Sequence, residues 1–446
     1  MRPQAAGALL GATLLAALAA YAQETNPQPV ALRLPPAPRL SAVAQLGERL
    51  FHDPRLSGSG KLSCAGCHDP AHAHGPAGAQ PVVPGGADGH TPGFRAVPSL
   101  RYLYRQPPFT IGPDTEGGND LHLTIAEQVT RSLTQVRSPK SAATPQLAAA
   151  NLVPQGGLFW DGRVNTLQQQ ADGPLFNPAE MAAGAAAGVV AKLERYYGRE
   201  FRLLFGAALF GNPHLALDEA LFAIGRYQIE SADFHPFTSK YDAWLEGRTR
   251  LTPAEWRGYQ AFDDPRGGNC AACHLDRPTR DGLPPLFTDF QYEALGVPRN
   301  GAIPANRDPH YYDLGLCGPY RNDLRADTRY CGMFLTPTLR NVATRQVFFH
   351  NGVFHSLREV LDWYVNRDLD PARFYPHDPS GQVIKYDDLP AADRGNVDTA
   401  DAPFDRRPGD APALSAAEID DVIAFLGTLT DGYDSSPPAA LRRRSH

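Results

Sequence analysis

The chain has 446 residues, of which 42% are hydrophobic and 20% charged, with 42 Lys and Arg against 48 Asp and Glu, a formal net charge of -6 and a pI near 6.2. That balance supports a buried core and excludes a disordered polymer. It also gives no reason to expect nucleic acid, which favours a basic face, and the length is a prior for two or three domains.

Residues 1–22 read as a secretory signal peptide: Arg2, an apolar run from Ala5 to Ala20, then the small-x-small signal Ala20-Tyr21-Ala22. The mature chain is expected to start near Gln23, in an exported, oxidising compartment. No later segment has about 18 uninterrupted apolar residues, so no membrane span is expected. Residues 23–40 are a Pro-rich, extended lead-in. From Ser41, Val43, Leu46, Leu50 and Phe51 recur on one helical face. That helix runs toward Cys64-Ala65-Gly66-Cys67-His68. The pattern fits attachment of a c-type haem: two thiols add across two vinyl groups, and the adjacent histidine becomes the proximal ligand of the iron.

The Gly/Pro-rich stretch 75–94 reads as a loop. Helices are expected at about 187–205, with Val190, Leu193 and Tyr197, and at 215–230, with Leu217, Leu221 and Ile224. An N-terminal domain over 41–240 then gives way, near 235–250, to a second over 246–433. The second unit opens on a helix with a capping box, Thr252 with Glu255, and Pro253 at its first position. It repeats the motif as Cys270-Ala271-Ala272-Cys273-His274. A redox dithiol or a zinc shared by the two pairs would leave both histidines unexplained, so haem is the reading at both places. Cys317 and Cys331 remain, and in an oxidising compartment they are expected to form a disulfide. Residues 366–412 read as loop, and a last capped helix begins at Ser415 and Glu418 with Ile419, Val422, Ile423 and Leu426 as its stripe. Residues 434–446 form a basic tail ending on Arg442 to Arg444, read as solvated. With 41 Gly and 42 Pro, about a fifth of the chain, and no alternating strand pattern, the fold expected is mostly α: two cytochrome c-like domains, each with one covalently attached c-type haem.

LGERLFHDPRLSGSGKLSCAGCHDP, FWDGRVNTLQQQADGPLFNPAEM and TPTLRNVATRQVFFHNGVFHSLREVL, in this order around the two CxxCH motifs, resemble the bacterial di-haem cytochrome c peroxidase and MauG family over most of 41–433. Residues 107–157 stand outside the likeness and read as an insertion. The resemblance implies an N-terminal haem that meets hydrogen peroxide, a C-terminal haem that passes electrons, and Trp160 between them. Splitting peroxide requires a group that takes a proton from one oxygen and returns it to the other. The family's distal glutamine and glutamate fall on Gln170 and Glu180, with Pro174 lining the same pocket.

The same likeness bears on the metal ligands. Tyr364 stands where peroxidases of the family place a methionine opposite His274, which is the MauG-like choice; Met333 is its rival, since only Met181 and Met333 follow the leader. An anionic phenolate favours the higher oxidation states of iron. His90, among Gly85, Gly86, Gly89 and Gly93, is a candidate resting-state ligand of the first haem, whereas His72 and His74 are expected to be solvated or a weak adventitious metal site. The family's interdomain calcium draws on an asparagine that is Ala96 here, which puts calcium in doubt. The activity expected is peroxide reduction, with electrons from a small cytochrome c or cupredoxin. The alternative is MauG-like oxidation of Tyr or Trp in a partner protein. A plain dihaem electron carrier is the third reading, and Glu180 with Gln170 argues against it, since a carrier needs no proton shuttle. The compartment expected is the periplasm, and a homodimer is left open.

Overall fold

The computed structural model describes residues 25–36, 39–113 and 152–434. The leader, all but the first residue of the basic tail, and most of the 107–157 segment lie outside the described residues. Two cores organise the chain. The first draws on residues from Leu46 to Phe234, the second on residues from Tyr241 to Leu429.

In the first half, helix α1 (Ala42–His52) starts at Ser41, whose hydroxyl accepts from Ala44 N, and buries Ala44, Leu46, Gly47, Leu50 and Phe51. One turn, α2 (Cys64–Cys67), carries the first haem motif. Helices α3 (Leu167–Phe176), α4 (Ala186–Phe205) and α5 (Pro213–Glu230) complete this half. Helix α1 crosses α5 at Gly47, where a Cβ would stand 1.8 Å from Ala223 O. Only a glycine lets the two backbones approach so closely.

The second half repeats the device. After α6 (Lys240–Leu245), helix α7 (Pro253–Asp263) carries the expected Thr252–Glu255 capping box, and α9 (Ala416–Gly427) the expected Ser415–Glu418 box. These helices cross at Gly258, whose Cβ would lie 1.9 Å from Asp421 O. Between them runs α8 (Leu357–Asn366). The interval read as a boundary, 235–250, is no open linker: α6 lies in it, has its own capping box, and buries Tyr241 and Trp244 in the second core. The Pro-rich lead-in also packs on this half. Val30 N donates to Leu245 O at 2.9 Å and Arg33 N to Gly282 O at 2.7 Å.

Three antiparallel two-stranded ribbons went unseen in the sequence because each strand is only two to four residues long. They pair β1 (Pro84–Gly85) with β2 (Thr91–Pro92), β3 (Thr110–Pro113) with β4 (Leu152–Gln155), and β5 (Tyr292–Glu293) with β6 (Phe334–Leu335). The β3–β4 pairing, Thr110 opposite Gln155 and Pro113 opposite Leu152, brings the ends of the 107–157 segment together. Cys317 and Cys331 are disulfide-bonded, as expected. Among the described residues, no helix is long and apolar enough to cross a membrane.

Candidate active site

Each CxxCH histidine is presented in the same way. His68 Nδ1 lies 3.2 Å from His74 O, and His274 Nδ1 lies 2.9 Å from Phe287 O. Both acceptors have positive φ, 53° at His74 and 54° at Phe287, which turns their carbonyls inward. Ser99 Oγ donates to Ala73 O at 2.6 Å, and Thr338 Oγ1 donates to Leu286 O at 2.5 Å, so each turn is tied down one residue earlier. With Nδ1 engaged, Nε2 would be the atom to ligate a metal, the usual arrangement of a metal-bound imidazole. Burial pulls the pKa of both rings down to about 4, so each is the neutral, ligating form. Cys64, Cys67, Cys270 and Cys273 are not disulfide-bonded.

The second site is a cavity of ≈680 Å³ lined by Cys270, Cys273, His274 and Tyr364, which extends to Trp160 and Gln170 of the first half. Tyr364 on α8 is stacked between Phe349, 6.0 Å away, and Phe404, 5.2 Å away. Burial, and then the nearby Cys273 and Cys270, push its phenol well above the usual range. A phenolate therefore needs a cation at its oxygen, which a haem iron would supply. Met333 is absent from this cavity lining and packs instead beside the disulfide with Leu316 and Tyr330. Tyr364 is the candidate that shares the chamber with His274.

On the first site's side, Glu180 follows α3. Asn177 Nδ2 donates to Glu180 Oε1 at 2.7 Å. Burial raises the pKa of Glu180, and the Arg163 cation and the Asn177 hydrogen bond partly offset that rise. After burial, the charge of Glu180 is the second cause of the raised pKa of the Cys67 thiol, so the two groups share one electrostatic neighbourhood. Arg163 lies over Phe159, 3.6 Å from the ring centroid, and donates to Asp161 Oδ1 at 2.9 Å. Gln170 is buried within α3. The reading of the sequence passed over Asn177 and Arg163, although both lie inside the NPAEM and FWDGR motifs that it used.

Trp160 sits in the seam between the halves. Its Nε1 donates to Ala96 O at 2.9 Å, and its carbonyl accepts from Leu335 N of β6 at 2.9 Å. Ala96 N in turn donates to His350 O at 2.7 Å. Arg95 bridges the halves, with Nη1 2.8 Å from Asp161 and Nε 2.6 Å from Asp313. Ala96 offers an ion no side-chain oxygen, its carbonyl is taken by the indole, and Asp161 and Asp313 are held by an arginine. Among the described residues, no three His, Cys, Asp or Glu side chains are grouped to hold a metal ion. These residues do not fit a calcium site.

The outlying histidines divide. His90 lies next to the β1–β2 ribbon, exposed, its backbone N–H donating to Asp88 Oδ1 at 2.8 Å. His72 is partly exposed, Nδ1 2.7 Å from Asp69. His74, expected to be solvated, is fully buried and stacked on Phe234 at 3.9 Å. The left-handed turn at Ala73 and His74 folds the ring inward.

The family profile described as di-haem cytochrome c peroxidase matches residues 41–250. The methylamine utilization protein MauG of Paracoccus denitrificans is 32% identical over 430 residues, covering 90% of this chain and 94% of that protein. The chain belongs to the di-haem cytochrome c peroxidase and MauG family. The cytochrome c551 peroxidase of Nitrosomonas europaea is 27% identical over 73% of each chain. The crystal structure of the dihaem peroxidase BthA from Burkholderia thailandensis matches with a TM-score of 0.73 and 37% identity, over 90% of this chain and 88% of that one. Members of this family are haem oxidoreductases, and membership implies two haem c groups. The paired thiols, the histidines oriented through Nδ1 and the Tyr364 cavity fit that cofactor.

Proposed function

We propose that the protein is an exported, periplasmic c-type dihaem peroxidase that reduces hydrogen peroxide to water at the haem of His68. With haems held at His68 and His274, electrons would come one at a time from a small cytochrome c or cupredoxin by way of Trp160. The bound haems supply the redox chemistry, and the balance is H2O2 plus two protons and two electrons to two waters. One observation carries this reading: Glu180 is partly buried, raised in pKa by desolvation and held by Asn177 just after α3. As a carboxylate it accepts the proton of one peroxide oxygen and returns it to the other. Gln170 orients the oxygens, and Trp160 spans the seam by its bonds to Ala96 and Leu335. The test is peroxide added to the resting diferric enzyme and followed optically, then turnover with reduced cytochrome c. Steady consumption is expected, and an unreactive Soret band would overturn the reading.

A second reading has its own support in Tyr364. An anionic oxygen ligand favours the higher oxidation states of iron, which suits MauG-like removal of electrons from Tyr or Trp of a partner protein. A long-lived oxidised state with a near-infrared band, together with poor turnover of cytochrome c, would select it.

A further inference from the structure

Three arginines line the cavity between the halves: Arg101, Arg340 and Arg345. Two have carboxylate partners. Arg101 Nη1 lies 3.2 Å from Asp431, and the fully buried Arg340 pairs with Asp242 at 2.7 Å. Arg345 has no carboxylate of the described residues within ion-pair distance. Its bonds go to neutral carbonyls, from Nε to Val347 O at 3.2 Å and from Nη2 to Val97 O at 3.0 Å. Burial pulls its pKa down to about 10, with no acid to offset the penalty. Arg345 is only partly buried, but a cation whose bonds go to neutral carbonyls alone is left without a counter-charge, and an anion entering the cavity beside it would find a ready partner. A haem brings two propionate carboxylates, and arginine is the side chain that best matches a carboxylate's geometry.

The position of Arg345 selects one of the two haems. Val97 precedes Pro98 in the first half, and a Cβ on Gly75 would lie 3.3 Å from Arg345 Nη1. Gly75 closes the turn that presents His68, since its carbonyl accepts from Asp69 N at 2.9 Å. The charge of Arg345 is felt at His68. The guanidinium, carried by the second half, therefore stands against the proximal loop of the first.

We propose that Arg345 is the counter-ion of a propionate of the haem held by Cys64, Cys67 and His68, and that this charge raises the reduction potential of that haem. The inference rests on the dihaem reading. A fixed positive charge beside a haem favours the ferrous state, so its removal favours the ferric.

Haem content of the purified holoenzyme is measured first, by the pyridine haemochrome assay; fewer than two haems per wild-type chain would refute the dihaem reading itself. Spectroelectrochemical titration then follows the two haems separately in wild type, Arg345→Gln and Arg345→Lys. Arg345→Gln is expected to shift the reduction equilibrium of the first haem toward ferric by about tenfold, which is about 59 mV for one electron. The second haem should move less, and Arg345→Lys should restore most of the change. Unmoved potentials, a larger shift at the second haem, or equal effects of Gln and Lys would overturn the proposal. Should Arg345→Gln fail to keep both haems, Arg345→Lys decides: two haems and a near-native first potential support the proposal, and a loss of haem or a shift as large as that expected for Gln refutes it.

Discussion

The two halves of the molecule share one frame and differ in what they hold opposite the histidine. In both, the helix that leads into the CxxCH motif meets the last helix at a glycine, Gly47 on Ala223 and Gly258 on Asp421. In both, a left-handed residue, His74 or Phe287, offers its carbonyl to the proximal imidazole. The first half carries a polar cluster at α3, with Glu180 held by Asn177 and the rise of its pKa partly offset by the Arg163 charge. The second presents Tyr364 between Phe349 and Phe404. On the reading proposed above, one would move protons and the other hold a charged ligand between aromatic rings; the frame would then set where a haem sits, and the opposite face what it does.

The largest test of that contrast is Glu180→Gln. It keeps shape and removes the proton acceptor, so peroxide turnover should fall by about 10²–10⁴-fold, the usual worth of a general acid–base group. Haem content and Soret position should not change. Retained turnover would place the proton shuttle elsewhere and dissolve the distinction between the halves.

Next is Tyr364→Met. A neutral thioether in place of a phenolate should raise the potential of the second haem and abolish any near-infrared band formed with peroxide, while the first haem still reacts. A spectrum and potential identical to wild type would show that Tyr364 is a core aromatic with no ligand role.

How far these differences could be read from the sequence follows the range of the interaction. The haem motifs, both capping boxes and the stripes of α1 and α9 are local patterns, and the structure has them where they were expected. The carbonyls that orient His68 and His274 come from 6 and 13 residues away, through turns at Ala73–His74 and Phe287 that no spacing rule encodes. His74 was expected to be solvated or a weak metal site, yet the left-handed turn buries it. Arg345 looks like any other arginine of a loop. Only the fold shows that Arg101 and Arg340 find acids and Arg345 finds carbonyls.

The shared frame can be tested with Gly47→Ala and Gly258→Ala. Helix propensity alone predicts stabilisation by about 1 kcal/mol for each. The methyl group would fall within 1.9 Å of a carbonyl oxygen in both cases, so packing wins and each should destabilise by about 1–3 kcal/mol. Denaturant unfolding of the holoprotein measures it. A stabilised variant in one half only would mean that the two crossings are not the same device.

A smaller effect concerns pH. Burial raises the pKa of Glu180, and only its carboxylate can accept the first proton of peroxide. Turnover should therefore fall with decreasing pH, through a midpoint above that of an ordinary glutamate. Arg163 works against the rise, so Arg163→Met should move this acid limb to higher pH. A limb that stays in place, or moves to lower pH, would show that another group governs the profile.

The smallest effect expected is that of a chelator. On the proposed reading Trp160 links the halves for electrons, and the family resemblance implies an interdomain calcium whose asparagine is Ala96 here. Here the indole N–H is satisfied by Ala96 O, and the acids of the seam, Asp161 and Asp313, are balanced by Arg95 and Arg163. A divalent cation added there would meet arginines before it met free oxygens. Prolonged treatment with EDTA should therefore leave turnover and both haem spectra unchanged. A loss that calcium restores would mean that backbone carbonyls and water build a site that Ala96 does not abolish.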